Sequence, residues 1–150
     1  MNIALETPEQ SEVARLIEDL DAFQRPLYPP ESHHGIDIAA LSQPNVLFAV
    51  ARNKHAAAVG CGAIVLQTEF GEIKRMFVRP ENRGEGIARQ LLAFLEGEAV
   101  ANGCTRLVLE TGIRQPEALA LYAQAGYVRR GPFGTYAHDP LSVFMQKDLE

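Results

Sequence analysis

The spacing of apolar and polar residues predicts a chain that alternates between strands and helices. Residues 3–6 are expected to form a short strand, and the helix after it has Thr7 as its cap and Pro8 in its first turn. The apolar residues of that helix recur at helical spacing, at Val13, Leu16, Ile17 and Leu20. The prolines of residues 25–35 exclude a helix there, and a short helix is expected around residues 36–41.

Three strands are predicted next, because three apolar segments are separated by only a few polar residues, which implies antiparallel hairpins. They span residues 46–52, 57–68 and 70–78. Helices and strands then alternate, with a left-handed helix cap at Asn102-Gly103 and a later helix that runs from Pro116 to Gly126. The other elements are a helix over 86–101, a buried strand over 105–110, and closing strands over 127–130 and 141–147.

This order of elements predicts an α/β (mixed α+β) fold built on one sheet. The strand-helix-strand unit over residues 72–110 should be parallel and right-handed, whereas the hairpins should be antiparallel. The sheet is therefore expected to be mixed and mostly antiparallel, with a central parallel unit and helices on both faces. The length of 150 residues suits one domain over residues 1–150.

Composition points to an ordinary globular protein in the cytoplasm. The chain is 47% hydrophobic and 22% charged. No apolar run approaches the ~18 residues of a membrane helix, and the N-terminus lacks the pattern of a secretory signal. Cys61 and Cys104 lie in apolar runs without a CxxC spacing, so we expect two buried thiols in a reducing compartment and no metal site.

The charge of the chain is unevenly distributed. A formal net charge of −5 does not attract nucleic acid or an anionic membrane. Residues 73–90 nevertheless carry five basic side chains against two acidic ones, which leaves a local charge of +3. The expected partner of this segment is a small polyanion.

The stretch RPENRGEGIARQ, residues 79–90, has the features of an anion-binding loop. Gly84 and Gly86 let the backbone turn where a Cβ would interfere. The helix that starts beside Gly86 leaves its first N–H groups without partners, and these groups and the helix dipole bind anions. Arg83 and Arg89 add positive charge and the forked geometry that suits phosphate.

Three known phosphate loops compete for this stretch. A Walker loop requires GxxxxGK[ST], which does not occur in the chain. A Rossmann fingerprint requires GxGxxG after an N-terminal strand, but Arg89 takes the third glycine position and hairpins precede the stretch. The third pattern, [RQ]xxGx[GA], is met over residues 83–88.

This third pattern and a second motif together resemble the GNAT acyltransferases. Val78-Arg79-Pro80, followed by RGEGIA and a long helix, resembles the coenzyme A loop of that family. ALALYAQAGY at residues 118–127 resembles the family motif AxxLYxxxG[FY], and one helix and one strand lie between the two motifs. The element order also fits. The resemblance implies the GNAT fold and direct transfer of an acetyl group from acetyl-CoA to an amine.

The resemblance also implies which residues hold acetyl-CoA. In the family, main-chain N–H groups of the loop bind the pyrophosphate; here they belong to Arg83, Gly84, Gly86, Ile87 and Ala88. The strand before the loop splays from its neighbour and pairs with pantetheine; its matching residues are Met76, Phe77 and Val78. The N–H of Val78 is expected to polarise the thioester carbonyl. Many members bind pantetheine through an Asn before the second helix, and Gln115 stands at about that place with a different reach.

Two residues are expected to move protons. The family places a tyrosine hydroxyl near the leaving sulfur as the general acid, and Tyr122 is the match; the alternative is a core tyrosine on an amphipathic helix. A carboxylate on the strand before the loop is often the base, and Glu72 is the match. An extended strand puts Glu72, Lys74 and Met76 on one face and Ile73, Arg75 and Phe77 on the other. The alternative is that Glu72 pairs with Lys74 or Arg75 in a solvated patch.

The acceptor amine is less well defined by the sequence. Its pocket is expected between the loop after the first helix, the strand of Glu72 and the last hairpin. Candidate contacts are Arg75, Arg114, His33 and Tyr136. The two arginines favour an acceptor that carries a carboxylate, such as an amino acid. The pair His33-His34 is a base, a metal site or merely an exposed polar loop.

Two rival functions stay open. One is acetylation of a protein or peptide, at its N-terminus or at lysine, and the other is an acyl-CoA sensor without turnover. The presence of both Tyr122 and Glu72 argues against the sensor. Members of the family often form dimers, so a homodimer is a candidate assembly.

Overall fold

A computed structural model describes residues 1–33 and 35–149, and its helices and strands follow the predicted order. The strands are β1 Asn2–Leu5, β2 Val46–Arg52, β3 Ala58–Leu66, β4 Gly71–Val78, β5 Arg106–Gly112, β6 Val128–Arg130 and β7 Ser142–Asp148. The helices are α1 Ser11–Gln24, α2 Ile38–Leu41, α3 Ile87–Ala101 and α4 Pro116–Gln124.

The strands form one seven-stranded sheet in the order β1-β2-β3-β4-β5-β7-β6. All neighbouring strands are antiparallel except β4 and β5, which are parallel and joined through α3. The predicted fold class, a mixed and mostly antiparallel sheet with one central parallel unit, is therefore confirmed.

Both faces of the sheet are covered by helices. Alternate residues of β2 point to opposite faces, so Phe48 packs with α1 whereas Ala49 packs with α3. α3 buries the apolar stripe that its helical spacing predicts, through Ile87, Leu91, Leu92, Leu95 and Ala99. Because neither face of the sheet meets water along most of β2 and β3, the sequences of these two strands are almost continuously apolar instead of alternating.

Two local predictions near the N-terminus are wrong. α1 begins at Ser11, and the Thr7 hydroxyl instead accepts a hydrogen bond from the Glu9 N–H at 3.1 Å, which makes a separate turn. The prolines of residues 25–35 do not exclude all helical structure, since a 3-10 turn spans Pro30–Ser32. Pro30 takes the first position of that turn, where no N–H is needed.

A β-bulge in β4 changes which face its side chains occupy. The register with β3 shifts there, and Arg75 has a φ of 58°. After the bulge Met76 packs with the core on the α3 face, as Ile73 does, whereas Phe77 packs with α1. The predicted alternation, with Ile73 and Phe77 on one face, is therefore wrong because a bulge inserts one residue. Gly62 makes room for the bulge, since a Cβ there would collide with the Met76 sulfur.

The two cysteines differ in their burial. Both cysteines are free thiols; Cys61 is buried, but Cys104 is only half-buried, so the expectation of two buried thiols holds for Cys61 alone. Within residues 1–33 and 35–149, no helix has the length and apolar character needed to cross a membrane.

Candidate active site

The site begins where β4 and β5 separate. The two strands pair only over Gly71–Ile73 and Leu107–Leu109, although β4 continues to Val78 and β5 to Gly112. The main-chain groups of residues 74–78 therefore have no strand partner on the β5 side. This is the splayed strand pair that the resemblance implied, and it leaves an opening inside the sheet.

The opening leads to a cavity of about 690 Å³, called the larger cavity below, between α1, β4, the start of α3 and α4. Ligand pockets typically measure about 300–1,000 Å³. All nine residues that the resemblance assigned to the cofactor line it: Met76, Phe77, Val78, Arg83, Gly84, Gly86, Ile87, Ala88 and Gln115.

The N-terminus of α3 closes one end of the larger cavity. Gly84 and Gly86 adopt left-handed φ values of 83° and 79°, which is why glycine is needed at both positions. Gly86 is the cap residue, and no side chain of residues 1–33 and 35–149 bonds to the first N–H groups of the helix. Those groups and the helix dipole therefore offer an anion site that opens into the cavity.

Arg83 lies along the wall of the larger cavity. Its Nε donates a hydrogen bond to the Val78 carbonyl at 3.1 Å, and its guanidinium lies over the rings of Phe23 and Phe77, at 5.0 and 5.7 Å from their centroids. The side chain is thus held by α1 and β4 while its charge stays near the N-terminus of α3.

A second, smaller cavity of about 100 Å³ lies on the other side of the opening. The loop after α1, β4 and β5 enclose it, and its lining is mostly polar. The charged and titratable residues in that lining are Tyr28, His33, Lys74, Arg75, Glu110 and Tyr122.

Tyr122 lies where the two cavities meet, and it lines both of them. Its ring is 5% exposed and packs edge-on against Tyr127, with 5.6 Å between the ring centroids. Burial raises the pKa of Tyr122 well above its ordinary value, so the hydroxyl keeps its proton at neutral pH. Among the described residues, the Tyr122 hydroxyl has no hydrogen-bond partner. Every fully buried polar side-chain atom of those residues does have a partner, so the Tyr122 hydroxyl is not fully enclosed and faces the cavity.

Glu72 is buried behind the smaller cavity instead of lining it. Its Oε2 accepts a hydrogen bond from the Tyr136 hydroxyl at 2.6 Å and lies 3.3 Å from the Lys74 ammonium. Lys74 also donates to the Tyr136 hydroxyl at 2.8 Å. Burial and the bond to Glu72 raise the pKa of Tyr136. The expected pairing of Glu72 with Lys74 is present, but it is buried rather than solvated.

The remaining predicted acceptor contacts lie in different places. Arg75 lines the smaller cavity but donates to Asp21 at 2.7 Å and to the Ile36 carbonyl at 3.0 Å. The Nε2 of His33 lies 2.9 Å from the Tyr28 carbonyl. Arg114 lines the larger cavity and donates to the Leu27 carbonyl at 2.7 Å.

His34, the other histidine of the predicted pair, lies outside the described residues. Among the described residues, no group of three or more His, Cys, Asp and Glu side chains is arranged to hold a metal ion.

Comparisons with known proteins place this geometry in a family. The profile of the Acetyltransferase (GNAT) family matches residues 13–127. The IAA acetyltransferase of Azospirillum brasilense is 50% identical over 151 residues, which cover 99% of this chain and 98% of that protein.

The chain belongs to the GNAT acetyltransferase family. The predicted enzyme class, an N-acetyltransferase that uses acetyl-CoA, is thereby confirmed.

Solved structures agree with this assignment. A Klebsiella pneumoniae protein described as an acyl-CoA N-acyltransferase is 41% identical, with a TM-score of 0.85 over 99% of this chain and 97% of its own. An aminoglycoside 6'-N-acetyltransferase complexed with coenzyme A shares only the fold, with 18% identity and a TM-score of 0.73 over 99% of this chain and 97% of its own.

The GNAT motifs identified the residues that the coenzyme A loop and β4 contribute to the cavities, but not those that α1, the loop after it and β5 contribute. Phe23 and Leu27 line the larger cavity from α1 and the loop after it, and neither belongs to a motif. Glu110 lines the smaller cavity, although it lies near the end of a strand whose other residues are mostly buried and apolar. Its signal in the sequence is weak: a lone carboxylate near the end of a buried strand, next to the strand that precedes the coenzyme A loop.

We predict that Gly86→Ala impairs cofactor binding more than it impairs folding. Alanine at position 86 must adopt the left-handed conformation of Gly86, which costs about 1–2 kcal/mol, and relaxing this strain would move the N–H groups at the start of α3. The KM for acetyl-CoA should rise about tenfold or more, since charge-assisted hydrogen bonds to the phosphates are lost. Steady-state kinetics and chemical denaturation measure the two effects.

Gly103→Ala is the matched control. Gly103 has a φ of 80° and open space where a Cβ would lie, as at Gly84, but it follows α3 away from both cavities. The control should lose similar stability and keep its KM. Equal changes in KM for the two variants would mean that Gly86 acts only through backbone conformation.

Proposed function

We propose that the larger cavity binds acetyl-CoA, that the smaller cavity binds a small amine, and that the acetyl group passes directly between them. The observation that carries this proposal is the position of Tyr122, whose unpaired hydroxyl faces the junction of the two cavities. A ternary complex needs two adjoining sites and a proton donor between them. The two adjoining cavities provide the sites, and the protonated Tyr122 hydroxyl provides the proton donor.

The larger cavity fits the chemistry of coenzyme A. The uncapped N-terminus of α3, with Arg83 beside it, would hold the pyrophosphate. The main chain of Met76, Phe77 and Val78 has no β5 partner and would pair with the amides of pantetheine. In this arrangement the Val78 N–H would polarise the thioester carbonyl.

The reaction then requires two proton transfers. Acetyl-CoA supplies a thioester; the amine nitrogen forms a bond to its carbonyl carbon and the carbon–sulfur bond breaks. Tyr122 would give its proton to the leaving thiolate, because its hydroxyl keeps that proton at neutral pH and faces the junction of the two cavities. The proton lost by the amine would go to a carboxylate.

We predict that Tyr122→Phe lowers kcat about 10²-fold or more, as expected when a general acid is removed. Thiol release and product formation, measured at saturating acetyl-CoA, give kcat directly. Phenylalanine keeps the ring packing against Tyr127, so the protein should remain folded.

Tyr127→Phe is the matched control for this prediction. Tyr127 is equally buried and its ring contacts Tyr122, but its hydroxyl donates to Glu96 at 2.8 Å instead of facing a cavity. The control should keep its kcat. Unchanged turnover in Tyr122→Phe would remove Tyr122 as the acid, and no turnover by the wild type on any amine would favour the acyl-CoA sensor.

Two carboxylates are candidates for the base. Glu72 would need a relay through Tyr136, which donates to it, and Lys74, because neither Glu72 nor Tyr136 lines the smaller cavity whereas Lys74 does. Glu110 is the second candidate and lines that cavity directly, while its Oε2 accepts a hydrogen bond from Ser142 at 2.8 Å. A base must come within hydrogen-bond reach of the amine, directly or through one water, and this requirement favours Glu110.

We therefore predict that Glu110→Gln lowers kcat about 10²-fold or more, and that Glu72→Gln lowers it about tenfold or less. Glutamine keeps the size and one acceptor oxygen of each side chain while removing its charge and its basicity. The profiles of kcat against pH for the two variants test this order. The opposite order of effects would return the role of base to Glu72 and its relay through Tyr136.

We propose an acceptor that resembles an amino acid. The smaller cavity is only about 100 Å³, which supports a small acceptor. β4 contributes the cations Lys74 and Arg75 to its lining, and β5 contributes the carboxylate Glu110. Such a lining complements a molecule that carries both a carboxylate and an amine. His33 lines the smaller cavity and remains a proposed contact. Tyr136 lines neither cavity and would act on the acceptor only through Lys74, and Arg114 would approach the acceptor only from the larger cavity.

A panel of acceptors tests this class. Each free amino acid should react with a kcat/KM about tenfold or more above that of the matching amine without the carboxylate, because one charge-assisted hydrogen bond is lost. Polyamines, peptides and IAA belong in the panel, the last because a relative is named for it. Turnover of polyamines or peptides without turnover of free amino acids would refute the proposed class and favour the protein or peptide alternative.

The cytoplasmic location also remains a proposal. It is supported by two free cysteines, which are typical of a reducing compartment.

A further inference from the structure

Tyr28 lines the smaller cavity and occupies an unusual place in the fold. It follows α1 in the chain, yet its ring lies against Gly112 at the end of β5, and it is only 9% exposed. A Cβ at position 112 would overlap the Tyr28 hydroxyl and ring. The absence of a side chain at Gly112 thus lets a residue of the α1 loop reach the segment between β5 and α4.

The Tyr28 hydroxyl makes two hydrogen bonds in that segment. It accepts one from the Arg114 N–H at 3.2 Å and makes another with the Gln115 Oε1, also at 3.2 Å. The hydroxyl has a single proton, and the Arg114 N–H cannot accept it, so the proton goes to the Gln115 oxygen. This donation fixes which end of the Gln115 amide faces Tyr28.

The other end of that amide is available to a ligand. The Gln115 Nε2 has no hydrogen-bond partner among the described residues, and Gln115 lines both cavities. An NH₂ group donates but does not accept, so its partner must be an acceptor atom. If acetyl-CoA bound in the larger cavity as proposed, the amide carbonyl oxygens of pantetheine would be acceptor atoms close to its reacting end.

We infer that Tyr28 is a positioning residue, which turns the Gln115 amide so that its NH₂ group donates to a pantetheine carbonyl. This inference rests on the proposed binding of acetyl-CoA in the larger cavity. It means that the loop after α1 helps to hold acetyl-CoA, although that loop also lines the smaller cavity, where the acceptor would bind. The Tyr28 carbonyl, 2.9 Å from the His33 Nε2, links the same residue to the smaller cavity.

A double-mutant cycle tests the inference. Tyr28→Phe removes only the hydroxyl and keeps the ring against Gly112, and Gln115→Ala removes the amide. Each variant should weaken CoA binding about three- to tenfold, which corresponds to one hydrogen bond. The double variant should bind CoA within about twofold of Gln115→Ala alone, because the hydroxyl acts through the amide. Calorimetry gives the Kd for CoA, and kinetics give KM and kcat.

Two controls separate positioning from general damage. Tyr127→Phe, which removes a buried hydroxyl that bonds to Glu96, should leave the Kd for CoA unchanged. Tyr28→Phe should raise the KM for acetyl-CoA more than it lowers kcat, since a positioning residue for the donor affects binding more than proton transfer.

Each other outcome has a defined meaning. An unchanged Kd in Tyr28→Phe would overturn the inference while leaving the proposed function intact. The inference would also be overturned if Tyr28→Phe weakened CoA binding equally in the wild type and in Gln115→Ala, because the hydroxyl would then act without the Gln115 amide. If the wild type bound no CoA, the proposed function itself would fail, and the inference would fail with it.

Discussion

The separation of β4 from β5 after Ile73 is the constraint on which the site depends. Two parallel strands that pair for only three residues leave main-chain groups unpaired inside a sheet, and buried unpaired groups are costly. The opening is therefore tolerated only where water or a ligand can bond to those groups. Both cavities adjoin this gap, and the N-terminus of α3 lies at its far end because α3 must cross from β4 to β5.

The bulge at Arg75 lies in the part of β4 that has separated from β5. Its left-handed φ is unfavourable for a residue with a side chain, but several contacts hold it there. The guanidinium donates to Asp21 and to the Ile36 carbonyl, the Cys61 thiol donates to the Arg75 carbonyl at 3.3 Å, and Gly62 leaves room for the next side chain. Arg75 is thus fixed by α1 and the following loop, which leaves less of its charge for an acceptor than the sequence indicated.

Sequence patterns predicted the fold and the loop because these depend on local rules. Hydrophobic spacing predicted the element order, and the glycines and the helix start predicted the anion site, where Gly84 and Gly86 have the expected backbone. The bulge could not be predicted, since it depends on how β3 and β4 pair. For the same reason the sequence identified Glu72 but missed Glu110, as only the separation of the strands decides which carboxylate reaches the cavity.

Tyr122 and Tyr127 show how the same side chain takes different roles on one short segment. Both are buried, both have a raised pKa, and their rings touch. The hydroxyl of Tyr127 donates to Glu96, so its proton is already committed to a carboxylate inside the core. The Tyr122 hydroxyl has no such partner among the described residues, and it faces the junction of the cavities. In the proposed reaction the Tyr122 proton would pass to the leaving thiolate, because no neighbour among the described residues binds it; this difference from Tyr127 follows from packing rather than from the residue type.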